Sequence, residues 1–474
     1  MKRSALARHS ASKYAATLFA LFSLLSSTHG IYAAPKPNVI VIYADDLGYG
    51  DLACFGHPTI KTPALDQMAA EGMKFTQFYS AAPVCTPSRA ALMTGRYPIR
   101  SGMCSDKRRV LFPNSGGGIP ASEVTLAEAL KAAGYQTACV GKWHLGHLPQ
   151  FLPTSNGFDS YFGIPYSNDM DRIADRKLGR SIFLKPEVKY WNVPLMRDQE
   201  IVEQPADQTT ITKRYTEGTI KLIQQYKKQP FFIYLAHNMP HVPLFRSKEF
   251  QDQSRRGLYG DVIEEIDWSV GQILEELKTQ GLDQNTIVWF CSDNGPWLIF
   301  NEQGGSAGLL RDGKGSTWEG GMREPTLAWW PGHIPSGSVS QELGSTLDIY
   351  TTSIKLAGGN VPTDRVVDGV DLTPVLLEGG NSPREIMAYY RGTKLMALRK
   401  GPWKAHFITK PAYGNEPFQE HNPPVLYHLE HDPSEKYDVA KNHPNVIKEL
   451  KAAAEQFQKT VKPVPSQLEI PLPN

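Results

Sequence analysis

Cysteine is scarce in this sequence. Its 474 residues include five, Cys54, Cys85, Cys104, Cys139 and Cys291, far too few for a disulfide-stapled scaffold. Net charge is scarce as well, with 50 Lys and Arg against 48 Asp and Glu. Four of the basic residues, Lys2, Arg3, Arg8 and Lys13, fall in the first 34 positions, which hold no acid. The remainder therefore carries 46 basic against 48 acidic side chains. A nucleic-acid partner needs a concentrated basic face, so none is implied. The one tight basic cluster, Lys107-Arg108-Arg109, reads as a solvated loop. Internal repeats and low-complexity tracts are absent. With 41% hydrophobic and 21% charged residues, the composition excludes a disordered, collagen-like or multi-span membrane chain. At ~150 residues per domain, the length allows two or three domains.

The N-terminus carries a targeting pattern. Basic residues precede an uncharged run, Ala15 to Ser27, and small residues surround Ala33-Ala34, as in a cleaved signal peptide over residues 1–34. Thirteen residues fall short of the ~20 that a bilayer span needs, so no membrane span is expected. In an exported chain, an odd cysteine count leaves at least one sulfur unpaired or chemically altered. None of the sixteen asparagines opens an Asn-x-Ser/Thr site. A long eukaryotic secretory chain without one would be unusual, so the expected setting is bacterial, periplasmic or secreted.

Along the chain, apolar strand-like runs lead straight into polar residues. Asn38 to Ala44 runs into Asp45-Asp46, Pro230 to Ala236 into His237-Asn238, and Thr286 to Cys291 into Ser292-Asp293-Asn294. Near-continuous apolar runs fit strands buried on both faces. Helices fall between them. Thr125 and Glu128 form a capping box before Leu126 to Ala133, and Asp261 to Lys278 is an amphipathic core helix. The alternation predicts a doubly wound α/β domain over residues 35–380, with its ligands beyond the carboxyl ends of the strands. Three polar clusters at three strand ends then converge on one crevice. After Gly379-Gly380 come strand-like runs at Ile386–Tyr390, Leu395–Arg399, Trp403–Ile408 and Val425–Leu429, and a last helix at Val446–Thr460. They predict a smaller C-terminal α+β domain over residues 381–474 that closes one side of the crevice.

The chemistry is concentrated in a few residues. Asp45, Asp46, Asp293 and Asn294 offer only oxygen donors, which suit Ca²⁺ or Mg²⁺ better than structural zinc. One Asp-Asp or Asp-Asn pair alone would read as a turn or helix cap. Two such pairs at two buried strand ends read as a cation site. In Cys85-Thr86-Pro87-Ser88-Arg89, Pro87 suits a first helical turn, which leaves Cys85 near the positive end of the helix and Arg89 able to point back. From the residues alone this is an activated cysteine beside an anion site.

With its tail Leu92-Met93-Thr94-Gly95-Arg96, that segment resembles the signature of type I, formylglycine-dependent sulfatases. The resemblance continues through Gly134 to Thr137, Val140-Gly141-Lys142-Trp143-His144, Tyr43 to Gly48, Gly163 to Asp169, Ser292 to Gly295 and Gly313 to Pro325. It is nearest to the group that includes arylsulfatase A and N-acetylgalactosamine 6-sulfatase. Tyr389-Tyr390-Arg391-Gly392 and Lys404-Ala405-His406-Phe407 look especially like the latter. The extra cysteines and glycans of eukaryotic members are missing, so their lysosomal setting does not carry over.

This resemblance implies an alkaline-phosphatase-like fold, with a mixed sheet covered by helices on both faces. It implies a hydrolase of sulfate monoesters, aryl sulfates included, in which a formylglycine-generating enzyme converts Cys85 to the nucleophile. Asp45, Asp46, Asp293, Asn294 and residue 85 would hold Ca²⁺, which is favoured over Mg²⁺, and Arg89, Lys142 and Lys314 would neutralise the sulfate. By the same resemblance, one hydroxyl of the hydrated aldehyde would attack sulfur with Asp293 as base. His237, with Lys314, would protonate the leaving oxygen, and His144 would deprotonate the second hydroxyl to expel sulfate. Ser167 would hydrogen-bond in the same shell. A sulfated galactose or N-acetylgalactosamine of a host or algal polysaccharide is the expected substrate, with His406, Tyr390 and Arg391 as sugar contacts. A phosphodiesterase or phosphonate monoester hydrolase of the same superfamily, and a catalytically dead sugar-binding protein, are the alternatives.

Overall fold

The strand Asn38–Ala44 is buried along its whole length and has a parallel neighbour on each side. Phe231–Ala236 lies on one flank and Thr286–Ser292 on the other, both wholly buried. This is what apolar runs without polar alternation require, since both faces of such strands must be covered. A computed structural model of the protein describes residues 36–173 and 179–473. The expected signal peptide lies outside these residues. No helix among them is long and apolar enough to cross a membrane.

The large sheet has ten strands, which in spatial order begin at residues 338, 73, 326, 286, 38, 231, 136, 160, 195 and 200. The five from 286 to 160 are parallel, and antiparallel pairings begin on either side of them. The sheet is therefore mixed, as expected. Its two faces bury separate cores. Ile40, Ile42, Ile233 and Leu235 meet Leu65, Tyr215, Ile223, Val262, Ile266 and Ile273 of the helices Pro63–Glu71, Ile211–Tyr226 and Gly257–Thr279. Val39, Val41, Phe232 and Tyr234 meet Leu92, Met93, Leu126, Leu130, Ile349 and Ile354 from Cys85–Thr94, Leu126–Ala132 and Thr346–Leu356. Cutting one of these large aliphatic residues to Ala would cost about 2–5 kcal/mol.

The capping box at Thr125 and Glu128 is formed as the spacing predicts. A second one closes the start of Thr346–Leu356, where Ser345 is paired with Asp348.

A separate four-stranded antiparallel sheet follows, with Ile386–Arg391, Lys394–Lys400, Trp403–Thr409 and Gln419–His428 adjacent in sequence order. The helix Pro444–Thr460 covers it through Ile447, Leu450 and Ala454. Its last strand is longer than the apolar pattern predicts, because it runs through Pro423 and Pro424. That is permitted at the edge of a sheet, where a missing N–H breaks no ladder. The same core includes Tyr79, Ala91, Tyr97 and Leu347 of the larger part, so the two sheets share a buried seam.

Candidate active site

Four adjacent parallel strands end on the same edge of the large sheet, at Gly141, Ala236, Ala44 and Ser292. The residues just beyond them include Lys142, Asp45 with Asp46, and Asp293 with Asn294. The end at Gly141 is a fourth contributor beside the three that the apolar runs predict. Gly141 has φ +107°, and a Cβ there would stand 1.8 Å from the Ala236 carbonyl oxygen, so only glycine lets the chain turn towards the cluster. Asp46 and His144 adopt left-handed backbone at φ 64° and 59° without being glycine. This costs about 1–3 kcal/mol each and is typical of functional sites.

Three carboxylates and three cations interlock, all buried. Lys142 Nζ donates to Asp45 Oδ2 at 2.5 Å, and Lys314 Nζ lies 2.7 Å from Asp46 Oδ1. Arg89 Nε and NH2 lie 3.0 and 2.9 Å from Asp293 Oδ2, and NH2 is 3.5 Å from Asp45. Lys142 also donates to Ser167 Oγ at 3.1 Å. Burial alone would raise the Asp45 carboxyl, but Lys142, His241, Arg89 and Lys314 outweigh it and hold it well below its ordinary value. Asp46 goes the other way. Burial, with Asp45 and Asp293 nearby, pushes it up to about 7 against the pull of Lys314. Burial and Asp45 likewise raise Asp293 to about 6.

Cys85 opens the helix Cys85–Thr94, and its Sγ lies 3.5 Å from Asp45 Oδ1. The activated thiol expected from the residues alone is not what the geometry gives. Burial outweighs Lys142 and Lys314 and raises the thiol well above its ordinary value, so an unmodified Cys85 stays protonated and a poor nucleophile. His144 Nε2 donates to the Leu111 carbonyl at 2.9 Å, which fixes Nε2 as the protonated nitrogen. Its buried Nδ1 has no partner. Burial, with Lys142, keeps the ring neutral.

The structure replaces one histidine of the expected site with another. His237 continues the alternation of Phe231–Ala236 on the face of Ile233 and Leu235. It therefore points to the helix Gly257–Thr279, where its Nε2 lies 3.3 Å from Ser269 Oγ. His241, four residues on, returns to the cluster. The Met239 carbonyl accepts from the Asp45 amide at 3.2 Å and ties this loop to the carboxylates. His241 Nε2 is then 3.6 Å from Asp46 and 3.5 Å from Ser167. The alternating side-chain directions of the strand signal that His237 faces away from the cluster, but not that His241 returns to it. His406 is not at the expected sugar-facing surface either. It shares a strand face with Lys404, is closed off from solvent, and pairs with Glu435 at 2.7 Å under Trp318, with ring centroids 4.2 Å apart. It offers no surface to a sugar. Tyr390 and Arg391 do line a cavity, beside Val84 and Pro87.

Ligand atoms of Asp45, Asp46, Cys85 and His241 all lie within 4.8 Å of one another. Asn294 donates to Asp46 at 2.7 Å through Nδ2, which leaves its buried Oδ1 without a partner. An orphaned amide oxygen beside clustered carboxylates fits a hard cation, with one imidazole among several oxygens.

The sulfatase family model matches residues 37–359, and that of the C-terminal region of aryl-sulfatase matches residues 382–471. The chain belongs to the sulfatase family. It is 42% identical to N-acetylgalactosamine-6-sulfatase of Canis lupus familiaris, over 96% of this chain and 92% of that one. It is also 42% identical to human arylsulfatase A, over 90% and 89%. The structure of Ps i-CgsB in complex with k-i-k-neocarrahexaose superposes with a TM-score of 0.77 at 32% identity, covering 93% of this chain and 95% of that one. This sulfatase is thus an enzyme of the arylsulfatase type, a sulfuric ester hydrolase.

Proposed function

We propose that the protein is an exported bacterial enzyme that removes sulfate from a galactose-type sugar, with residue 85 as formylglycine and Ca²⁺ in the carboxylate cluster. One observation carries this reading. Residue 85 stands 3.5 Å from a carboxylate in a closed site where three cations face three acids. An anionic ester can enter such a site only where fixed positive charge receives it. Ps i-CgsB with its neocarrahexaose and the N-acetylgalactosamine-6-sulfatases support the sugar class.

Asp45, Asp46, Asp293 and the free oxygen of Asn294 would hold the Ca²⁺, whose charge offsets that of the sulfate. The hydrated aldehyde supplies two hydroxyls, one to bond to sulfur and one whose deprotonation releases sulfate. Arg89, Lys142 and Lys314 orient the ester and spread its charge. Asp293 takes the proton of the attacking hydroxyl, and His144 Nδ1, free of other partners, takes that of the second. His241 and Lys314, which share the Asp46 side of the cluster, take over from His237 the role of protonating the leaving oxygen. Ser167 links Lys142 to His241.

Protein co-produced with a formylglycine-generating enzyme should hydrolyse 4-nitrophenyl sulfate and sulfated galactose. Faster turnover of 4-nitrophenyl phosphate would move the reading to phosphate esters, and binding of sulfated sugar without turnover of any ester would move it to a dead scaffold.

A further inference from the structure

A cavity of about 240 Å³ opens beside the N-terminal end of the helix Cys85–Thr94, and its wall carries Arg109, Arg391, Lys410 and Phe418. Arg109 NH2 donates to the Ala412 carbonyl at 2.6 Å, and Arg391 NH2 donates to the same oxygen at 3.1 Å. Arg391 NH1 donates to the Pro411 carbonyl at 2.7 Å. Two guanidiniums thus converge on neutral carbonyls. Among the described residues, no carboxylate forms an ion pair with Arg109, Arg391 or Lys410. The acid on the same wall, Asp106, is already engaged by the amide and hydroxyl of Thr393 at 2.8 and 2.6 Å. Burial, with Arg109 adding to it, lowers Arg391 to about 10, as expected for a cation lacking a counter-charge.

An aromatic ring completes the wall. Lys410 Nζ, Lys394 Nζ and Arg391 Cζ lie 4.6, 5.5 and 5.9 Å from the centroid of the exposed Phe418. The cations also connect to the catalytic cluster. Gly315, next to Lys314, has φ +90°, and a Cβ there would meet Arg109 NH1 at 2.7 Å. Arg109 Cζ sits 4.5 Å from the ring centroid of Tyr413, and Tyr413 stacks on Trp297 at 6.1 Å. Lys314 Nζ lies 4.4 Å from the Trp297 centroid. A positive, partly aromatic wall therefore runs from the ester-binding lysine out to Arg391.

We infer that Arg109, Arg391 and Lys410 bind a second anionic group of the substrate, a sulfate or carboxylate on a sugar adjoining the one whose ester is cleaved. The preferred substrates are then polyanionic saccharides. The inference rests on the sulfate-ester reading above and adds to it a second charge on the substrate. It also gives Arg109 of the Lys107-Arg108-Arg109 run a role, whereas Lys107 of the same run is paired with Glu469 at 3.0 Å.

The test compares four probes on the modified enzyme. They are 4-nitrophenyl sulfate, a galactose disaccharide with one sulfate ester, the same disaccharide with a second sulfate, and its analogue with a uronate carboxylate. One or two charge-assisted hydrogen bonds predict that kcat/KM for the better doubly charged disaccharide exceeds that for the singly charged one by about tenfold or more. The gain should lie mainly in KM. Arg109→Gln should cut this ratio to about twofold or less, and Lys410→Gln should lower it part-way, because each removes charge-assisted bonds of that size. Whether the sulfate or the uronate gives the larger gain identifies the group bound. Equal kcat/KM for singly and doubly charged disaccharides in the unsubstituted enzyme overturns the inference, as does an unchanged ratio in both variants. Failure to hydrolyse even 4-nitrophenyl sulfate would instead overturn the sulfate-ester reading.

Discussion

Arg89 and Asp293 are joined by two contacts to one oxygen, Nε at 3.0 Å and NH2 at 2.9 Å, and neither side chain reaches solvent. The same guanidinium donates through NH1 to the Lys142 carbonyl at 3.1 Å and reaches the Tyr234 hydroxyl at 3.4 Å. One side chain thus bridges the ends of Thr286–Ser292 and Gln136–Gly141, and under the proposed function it also carries charge for the substrate. Arg89→Ala would leave a buried carboxylate unpaired, at about 3–5 kcal/mol. Arg89→Lys keeps the charge but loses the fork. It should fold, with kcat down by about 10²–10³. Urea unfolding and steady-state assay of the two variants check this, and a Lys variant of normal kcat would remove Arg89 from the ester-binding set.

The two histidines beyond Phe231–Ala236 should behave differently. His241→Ala should lower kcat on a poor-leaving-group sugar sulfate by about 10²-fold or more, and less on 4-nitrophenyl sulfate, whose leaving group needs little protonation. His237→Asn should change stability more than kcat, since the ring meets Ser269 and not the cluster. Burial lowers both rings, His237 to about 4 and His241 well below its ordinary value, so the contrast rests on which ring reaches the cluster. The reverse pattern of losses would restore His237 to the site.

His237 directly follows an apolar run, whereas His241 lies in the loop beyond it. An apolar run announces a buried strand and where it ends, which placed Asp45 and Asp293 correctly at neighbouring strand ends. It does not announce how the following loop folds back, so the return of His241 depends on a backbone contact from Asp45 to Met239 that no local pattern encodes. His406 departs from the expected sugar contact for a related reason. A strand face can look outward in sequence and still be sealed, here by Trp318 and Glu435 from distant segments. The same holds for the seam that Glu319 makes with Lys404, whose partners are 85 residues apart.

That seam makes the fold acid-sensitive. Glu319 is buried, and Tyr79, Lys404 and Tyr389 reach it at 2.6, 2.9 and 3.3 Å. Burial opposes its ionisation, but Lys404, Arg323 and Arg399 outweigh it and hold the carboxyl at about 2 against an ordinary 4.5. A depressed carboxyl stabilises the fold above the unfolded value and loses that contribution as pH falls from about 4.5 towards 2, here about 3 kcal/mol. The urea midpoint of the unsubstituted protein should fall over this window by more than that of Glu319→Gln. Parallel profiles for the two proteins would refute the linkage.

Cation binding should be separable from folding. Asn294→Ala removes the one orphaned amide oxygen of the cluster and leaves the strand beneath it intact. Saturating Ca²⁺ at about 100 times its dissociation constant should stabilise the unsubstituted protein by about 2.7 kcal/mol, and the variant by clearly less at the same concentration. Thermal unfolding with and without Ca²⁺ reads the difference, and metal analysis showing stoichiometric zinc with no calcium or magnesium would refute the assignment.

Cys85 should support turnover only after conversion to the aldehyde. A thiolate at this position could attack sulfur, but burial keeps the thiol protonated, and the adduct would have no second hydroxyl with which to expel sulfate. An aldehyde hydrate has both. Protein made without a formylglycine-generating enzyme should therefore fold and bind Ca²⁺ yet be nearly inactive. Cys85→Ser, in a host that modifies only cysteine, should accumulate a sulfated enzyme or show no turnover, because a single hydroxyl offers no internal exit. Peptide mass spectrometry set against specific activity decides the question. Activity should rise in proportion to the fraction of residue 85 that is aldehyde, and full activity with residue 85 entirely as cysteine would refute the mechanism.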